Sequence, residues 1–513
     1  MFARKDRYCD AVLYILIALS LCNLAYFFTS SLDNVVFDKH AFRQSQTAIS
    51  AYWLMHGGDW LRYETPVLGA PWSIPFEFPV YQGIVALFAR MGIPLNAAGR
   101  TISFLFFLAT LIPFHFIFRK LSIGPRSFLI FSIIFLSSPL YVFWSRSFMM
   151  ESTALFFSAA WIAMLLYIEK PQDFGKILIC VIMGTLAALT KSTTFLVWGL
   201  AGFLLCLFLL YRQRTSSALV PLTITYLIAG LVPLAIGYGW VAYSDAVKSE
   251  NPIAAAYLMS GSLKGWNFGT FSQRISEGLW LGVVVKRMFV DLFGIIGISA
   301  LLSLFLVVAR PKFFYLVVLL MLVFVSSFMI FTNLYFVHDY YLYASGIFAV
   351  LAVTVSISVA YGARTKIIAT IAVAVISISQ IYYALTNDMF IQAAHDHPDM
   401  AQYQAGQFAS KITHPDDAIV VFGQDWSSEV PYYAGRRGIA VPDWLPKEQV
   451  DAIFENPTKI FGDKQLGAII DCRWSQEQSA SPKADDWFAA HEAAGVFDFC
   501  KVYRPENIPI PTG

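Results

Sequence analysis

Long apolar runs separated by short polar turns organise this chain. A helix that spans a bilayer needs about 20 mainly apolar residues, and about eleven runs approach that length. They lie near residues 11–30, 101–118, 127–143, 152–168, 176–190, 195–211, 218–242, 288–309, 313–331, 341–361 and 366–385. A shorter run at 79–93 is interrupted by Gln82 and Arg90. That run predicts an interfacial or re-entrant helix.

The first run predicts an uncleaved span. Its apolar stretch covers about 18 residues, whereas a signal-peptide core has about 7 to 15. No small-residue cleavage site follows it. Composition agrees with a membrane protein, since 57% of the 513 residues are hydrophobic and 14% are charged, against about 25% charged in soluble domains. The net charge of +2 gives no indication of nucleic-acid binding.

Basic residues predict the orientation of the spans, because cytoplasmic turns are enriched in Lys and Arg. With the N-terminus inside, the short inner segments hold Arg4, Lys5, Arg7, Arg119, Lys120, Arg126, Lys170, Lys176, Arg212, Arg214, Arg310, Lys312, Arg364 and Lys366. The span count is then odd and the C-terminus lies outside. The expected domains are a transmembrane domain, 1–385, with a large first outer loop, 31–100, and a soluble extracytoplasmic domain, 386–513.

The C-terminal segment changes character. Short apolar stretches at 418–423, 438–441, 467–472 and 499–504 alternate with helix-like stretches at 446–456 and 485–494. This alternation predicts a small α/β domain with a partly parallel sheet. Cys472 and Cys500 lie in this domain, where an oxidising compartment would allow a disulfide; two free buried thiols are the alternative.

Ionisable residues gather on the expected outer side, at or just inside the interface. They are Asp38, His40, Arg43, Glu77, Arg146, Glu151, Lys191, His338 and Asp339. A charge within a membrane segment costs about 2.5 to 3.5 kcal/mol on insertion scales. Several such groups at one depth therefore predict a shared polar chamber.

Each residue also has a simpler structural explanation. Arg146 and Lys191 are compatible with interfacial anchors that reach water. His338 is compatible with a helix cap or with packing against tyrosines, and Glu77 with a solvated turn between prolines. Asp38 is compatible with a helix N-cap, because a helix is expected to start near residue 40.

Five segments resemble one family. FDKHAFRQSQTAISAYWLMHGGDWL resembles the first outer loop of bacterial membrane glycosyltransferases with the GT-C fold, which carries the motif H-x-W-R-Q-A-D-T-A. Phe42 replaces the Trp, and Ser45-Gln46 replaces Ala-Asp. PFEFPVYQGIVALF, SRSFMMESTALFF and LTKSTTF, together with HDYYLY, are similar to later family segments in order and spacing. The branch is that of the protein O-mannosyltransferases and the lipid A aminoarabinose transferase.

The resemblance implies a polytopic α-helical membrane enzyme of about eleven spans, with a C-terminal extracytoplasmic α/β domain. It also implies a polyprenyl-phosphate sugar donor, a base at Asp38 and a site in a bacterial cytoplasmic membrane. The acceptor hydroxyl belongs to a glycan, a lipid or a protein, and inversion is expected. A phosphate leaving group departs as an anion, so the reaction needs one carboxylate base and cations to hold the phosphate.

Roles for the other residues follow from this chemistry. The candidate phosphate-binding residues are Lys191, which we prefer, Arg43, Arg146 and His338. The residues expected to orient or bind the acceptor or sugar are His40, Glu77, Glu151, Asp339, Tyr340 and Tyr341.

The reaction requires no cofactor. A cation site formed by Asp38, His40, His338 and Asp339 is the alternative, although the spacing of these residues is not diagnostic. The main rival function is a flippase or transporter of lipid-linked sugars. A ligase using a polyprenyl diphosphate and a non-catalytic assembly protein are further rivals.

Overall fold

The computed structural model describes residues 2–124, 126–215, 217–362, 365–475 and 480–505, with backbone only for 2–6 and 309. Arg364 and the side chains of Arg4 and Lys5, used above for orientation, lie outside the described residues. The chain divides into two compact units. The helical unit comprises Met1–Leu32, Arg100–Trp240 and Leu263–His395, and the mixed unit comprises Asp33–Gly99, Val241–Ser262 and Asp396–Gly513.

The helical unit is built from α-helices joined by short turns. Its α-helices are Phe2–Ser31, Leu95–Ala109, Leu111–Leu121, Ser127–Ser137, Pro139–Trp144, Glu151–Tyr167, Phe174–Thr190, Ser192–Arg212, Leu219–Lys248, Lys264–Phe268, Phe271–Arg274, Phe289–Phe293, Phe314–Ile330, Thr332–Val337, Leu342–Tyr361, Lys366–Thr386 and Asp388–Ala393. A π-helix, Gly278–Met288, and three 3₁₀ segments, Gly294–Ala309, Pro311–Phe313 and Asp339–Tyr341, complete it.

Eight helical segments in the described part of the chain are long and apolar enough to cross a membrane. They are Arg7–Ser31, Leu95–Leu121, Ser192–Arg212, Leu219–Lys248, Gly278–Val308, Pro311–Ile330, Asp339–Tyr361 and Lys366–Thr386. The chain is therefore a multi-pass membrane protein. Three expected spans, 127–143, 152–168 and 176–190, fall on helices of only 11, 17 and 17 residues.

The break within 127–143 has a local cause. The helix Ser127–Ser137 ends at Ser138, whose backbone is extended with φ −61° and ψ 124°. Pro139 follows and begins the next short helix. The proline ring clashes with a helical conformation of the preceding residue, so the apolar run becomes two helices.

Leu342–Tyr361 forms the centre of the helical unit, with all 20 of its residues buried. A helix that is apolar on every side is stable only when it is surrounded. The buried side chain of Gln380 accepts a hydrogen bond from Ser137 at 2.5 Å and donates to the carbonyl oxygens of Ile134 and Leu292. These bonds offset the cost of burying an amide and connect three segments.

The mixed unit contains a five-stranded sheet with the order β2-β1-β3-β5-β4. The strands are Ala418–Phe422 (β1), Arg437–Ala440 (β2), Leu466–Asp471 (β3), Gly495–Phe497 (β4) and Cys500–Tyr503 (β5). β1 pairs in parallel with β2 and β3, whereas β5 pairs antiparallel with β3 and β4. This arrangement confirms the predicted α/β domain with a partly parallel sheet. A disulfide joins Cys472 to Cys500.

Helices of the mixed unit come from three separate parts of the sequence. They are Ala41–Met55, Val80–Arg90, Pro252–Tyr257, Ala401–Ile412, Glu429–Ala434, Lys447–Glu455, Pro457–Phe461 and Pro482–Ala490. The free edge of β2 is covered by the first outer loop, because the Gly438 N–H donates to Pro66 and the Ala440 N–H donates to Val67. Covering an edge strand removes a site of unwanted strand pairing. The division into a transmembrane domain, 1–385, and a soluble extracytoplasmic domain, 386–513, stays a prediction.

Candidate functional site

The helical unit holds a buried ion pair. Glu151 begins the helix Glu151–Tyr167, and Lys191 lies in an extended link between Phe174–Thr190 and Ser192–Arg212. The Lys191 ammonium donates to Glu151 Oε1, and the two side chains are 3% and 1% exposed. Two charges withdrawn from water are tolerated only when they compensate each other. The fold therefore holds a fixed cation and a fixed anion in a dry environment.

Aromatic rings border the Lys191 ammonium. Its Nζ lies 4.3 Å from the ring centre of Tyr341 and 5.0 Å from that of Tyr340. The His338 ring stacks on Tyr340 at 5.2 Å, and Asp339 is buried in the same helical turn. An ammonium over aromatic faces gains a cation–π attraction, so this turn helps to hold Lys191 in position.

Arg146 is a second buried cation of the helical unit. Its guanidinium lies 4.5 Å from the ring centre of Phe143 and donates to the Ala393 carbonyl oxygen at 3.5 Å. Arg100 is also buried and donates to the Arg146 carbonyl oxygen at 3.3 Å. A guanidinium can bind phosphate through two parallel hydrogen bonds, which makes Arg146 suitable for an anionic ligand.

One carboxylate oxygen of Glu151 takes no part in the ion pair with Lys191. Glu151 Oε2 is buried and has no hydrogen-bond partner among the residues that the structure describes. Leaving a buried acceptor unsatisfied costs about 1–3 kcal/mol or more for a charged group. Nearby, the Ser152 hydroxyl lies 2.9 Å from the Tyr343 hydroxyl and 3.2 Å from that of Ser103. Within the described residues, Glu151 Oε2 thus remains an unused hydrogen-bond acceptor.

The mixed unit carries the opening motif of the first outer loop. Its helix Ala41–Met55 is preceded by His40, which occupies the N-cap position in a left-handed conformation with φ 57°. The simpler explanation, in which Asp38 is the N-cap of this helix, is therefore wrong. Asp38 Oδ1 instead accepts a hydrogen bond from the Gln44 amide, which also donates to the Lys39 carbonyl oxygen at 3.0 Å. The amide orients the carboxylate of Asp38.

Arg43 forms the charged centre of the same motif. One guanidinium nitrogen donates to Gln46 Oε1, and another lies 2.5 Å from Glu77 Oε1. The side chains of Arg43 and Glu77 are 16% and 20% exposed. Gln46 stands where the resembling motif has an acid, so the negative charge opposite Arg43 comes from Glu77.

Tyr63, which sequence reasoning did not single out, positions Glu77. Its hydroxyl donates to the Glu77 carbonyl oxygen at 2.8 Å and accepts from the Phe76 N–H at 2.7 Å. Burial raises the pKa of the Tyr63 phenol well above its ordinary value, so the phenol stays a donor. Its neighbours Arg62 and Glu64 are polar, and no local pattern marks it as a buried group.

Trp426 was also missed. It lies in the loop after β1, and its ring centre is 5.0 Å from that of Phe42 and 6.0 Å from that of Phe76. The residues after β1 therefore pack against the opening motif within the mixed unit. Trp426 is more than 300 residues from the motif, and only a three-dimensional structure brings the two together.

The described residues contain no group of three or more His, Cys, Asp or Glu side chains that could hold a metal ion. Within the mixed unit, Asp38 Oδ1 accepts a hydrogen bond from the Gln44 amide. Within the helical unit, the His338 ring packs against tyrosines.

Solved structures provide the comparison that decides the fold. No protein-family model matches the sequence, and no curated protein matches it either. ArnT from Cupriavidus metallidurans, bound to undecaprenyl phosphate, superposes with a TM-score of 0.63 at 12% identity over 96% of this chain and 97% of ArnT. The chain has the GT-C fold.

Two further GT-C structures agree. The Archaeoglobus fulgidus oligosaccharyltransferase has a TM-score of 0.56 at 11% identity, covering 90% of this chain and 69% of that enzyme. The mycobacterial arabinofuranosyltransferase AftD has a TM-score of 0.54 at 12% identity, covering 96% of this chain and 40% of AftD. The likeness confirms the fold expected from the motifs, and the chemistry has to be argued from the residues themselves.

In this GT-C chain most of the predicted site residues lie in two groups, one in each unit. Within the helical unit, Lys191 contacts Glu151, Tyr340 and Tyr341, and the His338 ring packs against both tyrosines. The mixed unit holds its own set, in which Arg43 pairs with Glu77 and Asp38 is bonded to the same helix.

Proposed function

We propose that the protein transfers a sugar from a polyprenyl-phosphate donor to a hydroxyl of a glycan, lipid or protein acceptor. The observation that carries the proposal is the shared fold over 96% of the chain with ArnT, a protein whose structure holds undecaprenyl phosphate. The reaction takes place at the outer face of a bacterial cytoplasmic membrane. Multi-pass character and the basic inner turns support that location.

Asp38 is the general base. Its carboxylate is half-buried and held by the Gln44 amide, which leaves it accessible to an acceptor hydroxyl. A base removes the proton as the hydroxyl oxygen attacks the anomeric carbon, and the phosphate departs as a stable anion without a general acid. Attack opposite to the phosphate inverts the configuration of the sugar.

Lys191 is the preferred phosphate-binding residue. Glu151 and the two tyrosines hold its ammonium at one position. An ordered cation in a water-poor environment stabilises a developing phosphate charge more strongly than it would in water. Arg146 adds a guanidinium, and Arg43 and His338 complete the candidate cations.

Glu151 has a second task in this proposal. Its Oε2 lacks a partner among the described residues, and a sugar hydroxyl would satisfy it. Glu77 orients the acceptor through its fixed position next to Arg43. His40, Asp339, Tyr340 and Tyr341 provide further polar and aromatic contacts to the two substrates.

The decisive experiment uses the purified protein in lipid nanodiscs. Polyprenyl-phosphate sugars carrying a radiolabel are incubated with glycan, lipid and peptide acceptors, and labelled product is separated by chromatography. Transfer of label to an acceptor supports the proposal. In proteoliposomes, movement of intact donor across the bilayer with no labelled product would overturn it in favour of a flippase.

A further inference from the structure

The sheet of the mixed unit has a cavity of about 250 Å³ at the carboxyl end of its parallel strands. It is lined by Gly423 after β1, Val441 and Asp443 after β2, and Arg473 after β3. β1 lies between β2 and β3. The chain therefore passes from β1 to β2 on one side of β1 and then crosses to β3 on the other side. In open parallel sheets ligands bind at such a switch point. The volume lies just below the usual range for small-molecule sites, about 300–1,000 Å³.

Arg473 presents a fixed guanidinium to this cavity. Its Nε lies 2.8 Å from one oxygen of Asp471, and two other nitrogens bond Asp471 and Asp485 at 2.9 and 2.8 Å. Two carboxylates therefore compensate one positive charge. The guanidinium acts as an oriented hydrogen-bond donor and gives no net attraction for anions.

Two aspartates at the same edge add acceptors. Asp443 lines the cavity and is exposed. Asp425, in the loop after β1, adopts a left-handed conformation with φ 48°, and its Oδ1 has no hydrogen-bond partner within the described ranges. Burial raises the pKa of Asp425, and the neighbouring Asp443 carboxylate also raises it. The named groups carry four negative charges against one positive charge.

Tryptophans lie on the loops that follow two of the parallel strands. Trp444 follows Asp443 and is 40% exposed, and Trp474 follows Arg473 and is also exposed. Trp444 also donates a side-chain hydrogen bond to Asp425. The Trp444 ring lies 4.4 Å from that of Tyr257 and the Trp474 ring stacks on that of Phe499 at 4.0 Å, so part of each indole is covered and the rest meets water. Flat apolar faces beside oriented carboxylates and a guanidinium match a sugar ring, which has an apolar face and a rim of hydroxyls.

We propose that this cavity binds a neutral or amino-substituted sugar residue of a glycan acceptor. The carboxylate of Asp443 accepts hydrogen bonds from sugar hydroxyls or an ammonium, Arg473 donates to a ring or hydroxyl oxygen, and Trp444 packs on the ring. The negative balance excludes uronic acids and phosphorylated sugars. That the bound glycan is the acceptor rests on the proposed transfer; the binding itself does not.

The test measures glycan binding to the full-length protein in nanodiscs, because glycoside detergents would compete. Neutral, amino-sugar and uronic-acid oligosaccharides are titrated by calorimetry, with saturation-transfer NMR identifying the bound ring. Wild type is expected to bind a neutral or amino sugar and to bind no uronic acid. Asp443→Asn and Trp444→Ala each lower the affinity about tenfold, as expected for one charged hydrogen bond or one stacking contact.

Matched controls are available in the same unit. Asp463 is an exposed acid away from the cavity, and Trp60 is 39% exposed. Asp463→Asn and Trp60→Ala are expected to leave the affinity unchanged. Binding of no glycan, equal binding of uronic acids, or equal losses in the control variants would overturn the proposal.

A transfer assay separates this inference from the proposed function. Asp38→Asn should lower transfer by about 10²–10⁴-fold and keep glycan binding, whereas Asp443→Asn should raise the KM for a glycan acceptor with little change in kcat. Glycan binding by a protein that transfers no sugar would refute the proposed function and leave the cavity standing as a glycan site. An unchanged acceptor KM in Asp443→Asn would refute the acceptor assignment.

Discussion

The ion pairs at the candidate sites of the two units differ in burial. The Glu151–Lys191 pair of the helical unit is almost completely excluded from solvent, whereas the Arg43–Glu77 pair of the mixed unit keeps about a sixth to a fifth of its side-chain surface exposed. Removing one partner of a buried pair costs about 3–5 kcal/mol, while exposed pairs contribute about 0–1 kcal/mol. The Glu151–Lys191 pair thus holds its charges away from water, and the Arg43–Glu77 pair keeps its charges within reach of water.

This difference fits the two substrates of the proposed reaction. A lipid-linked phosphate enters from the membrane interface, and a cation fixed in advance in a water-poor site stabilises its charge strongly. An acceptor hydroxyl arrives from the aqueous side and must give up a proton to a carboxylate that it can reach. The buried Lys191 and the half-buried Asp38 have the burial that each role requires.

The largest expected effect concerns Asp38. Asp38→Asn keeps an oxygen for the Gln44 amide and removes the base, so transfer should fall by about 10²–10⁴-fold. Thermal unfolding should stay near that of wild type. The matched control is Asp33→Asn, an exposed acid of the same loop, which should transfer normally. Near-normal turnover by Asp38→Asn would remove Asp38 as base.

The second prediction tests the buried side of the comparison. Lys191→Met leaves the Glu151 carboxylate buried without its cation, and stability should fall by about 3–5 kcal/mol. The double variant Lys191→Met with Glu151→Leu removes both charges and should recover most of that stability while remaining inactive. Thermal unfolding in nanodiscs and label transfer measure the two properties. Recovery of activity in the double variant would exclude Lys191 as a phosphate ligand.

The sequence predicted regular elements better than the partners within the site. Apolar runs and short β-rich stretches identified most helices and four of the five strands, because burial of whole elements leaves a periodic pattern. Gly495–Phe497 was missed, since it has three residues and an exposed centre. The early stop at Ser138 depends on the proline that follows, which the apolar count ignored.

Contacts between individual side chains were predicted less well than helices and strands. Lys191 and Glu151 were expected at one depth, but their pairing depends on how helices 40 residues apart pack together. Tyr63 and Trp426 carry no local signal, because each becomes part of the site through contacts with distant residues. Sequence patterns report the environment of an element and do not identify which side chains meet.

The third prediction concerns the buried carboxyl group of Glu429. Burial raises the pKa of Glu429 to about 7 from its ordinary value of 4.5. Between these two pH values the folded protein therefore keeps a proton on Glu429 that the unfolded chain has lost. This contribution to stability is complete below pH 4.5 and disappears as the pH rises to about 7, a loss of about 3 kcal/mol at most.

Glu429→Gln should remove that dependence. The variant should gain stability relative to wild type as the pH rises from 5 to 8, and unfolding midpoints at each pH measure the difference. The comparison between the two proteins cancels the titration of the other acids. Parallel pH profiles would contradict a buried, protonated Glu429 and would show that water reaches this carboxyl group.

The smallest expected effect concerns the half-buried pair. Glu77→Gln preserves the shape of the side chain and removes the charge opposite Arg43, so stability should fall by about 1 kcal/mol. The mixed unit offers a matched control in Glu64, which lies 2.6 Å from Arg437 with side chains that are 21% and 19% exposed. Glu64→Gln should lose a similar amount of stability and keep full transfer activity.

Glu77→Gln should in addition raise the acceptor KM about fivefold, as expected for about 1 kcal/mol of lost binding. Equal kinetic effects in both variants would mean that the Arg43–Glu77 pair supports only the fold and does not orient the acceptor.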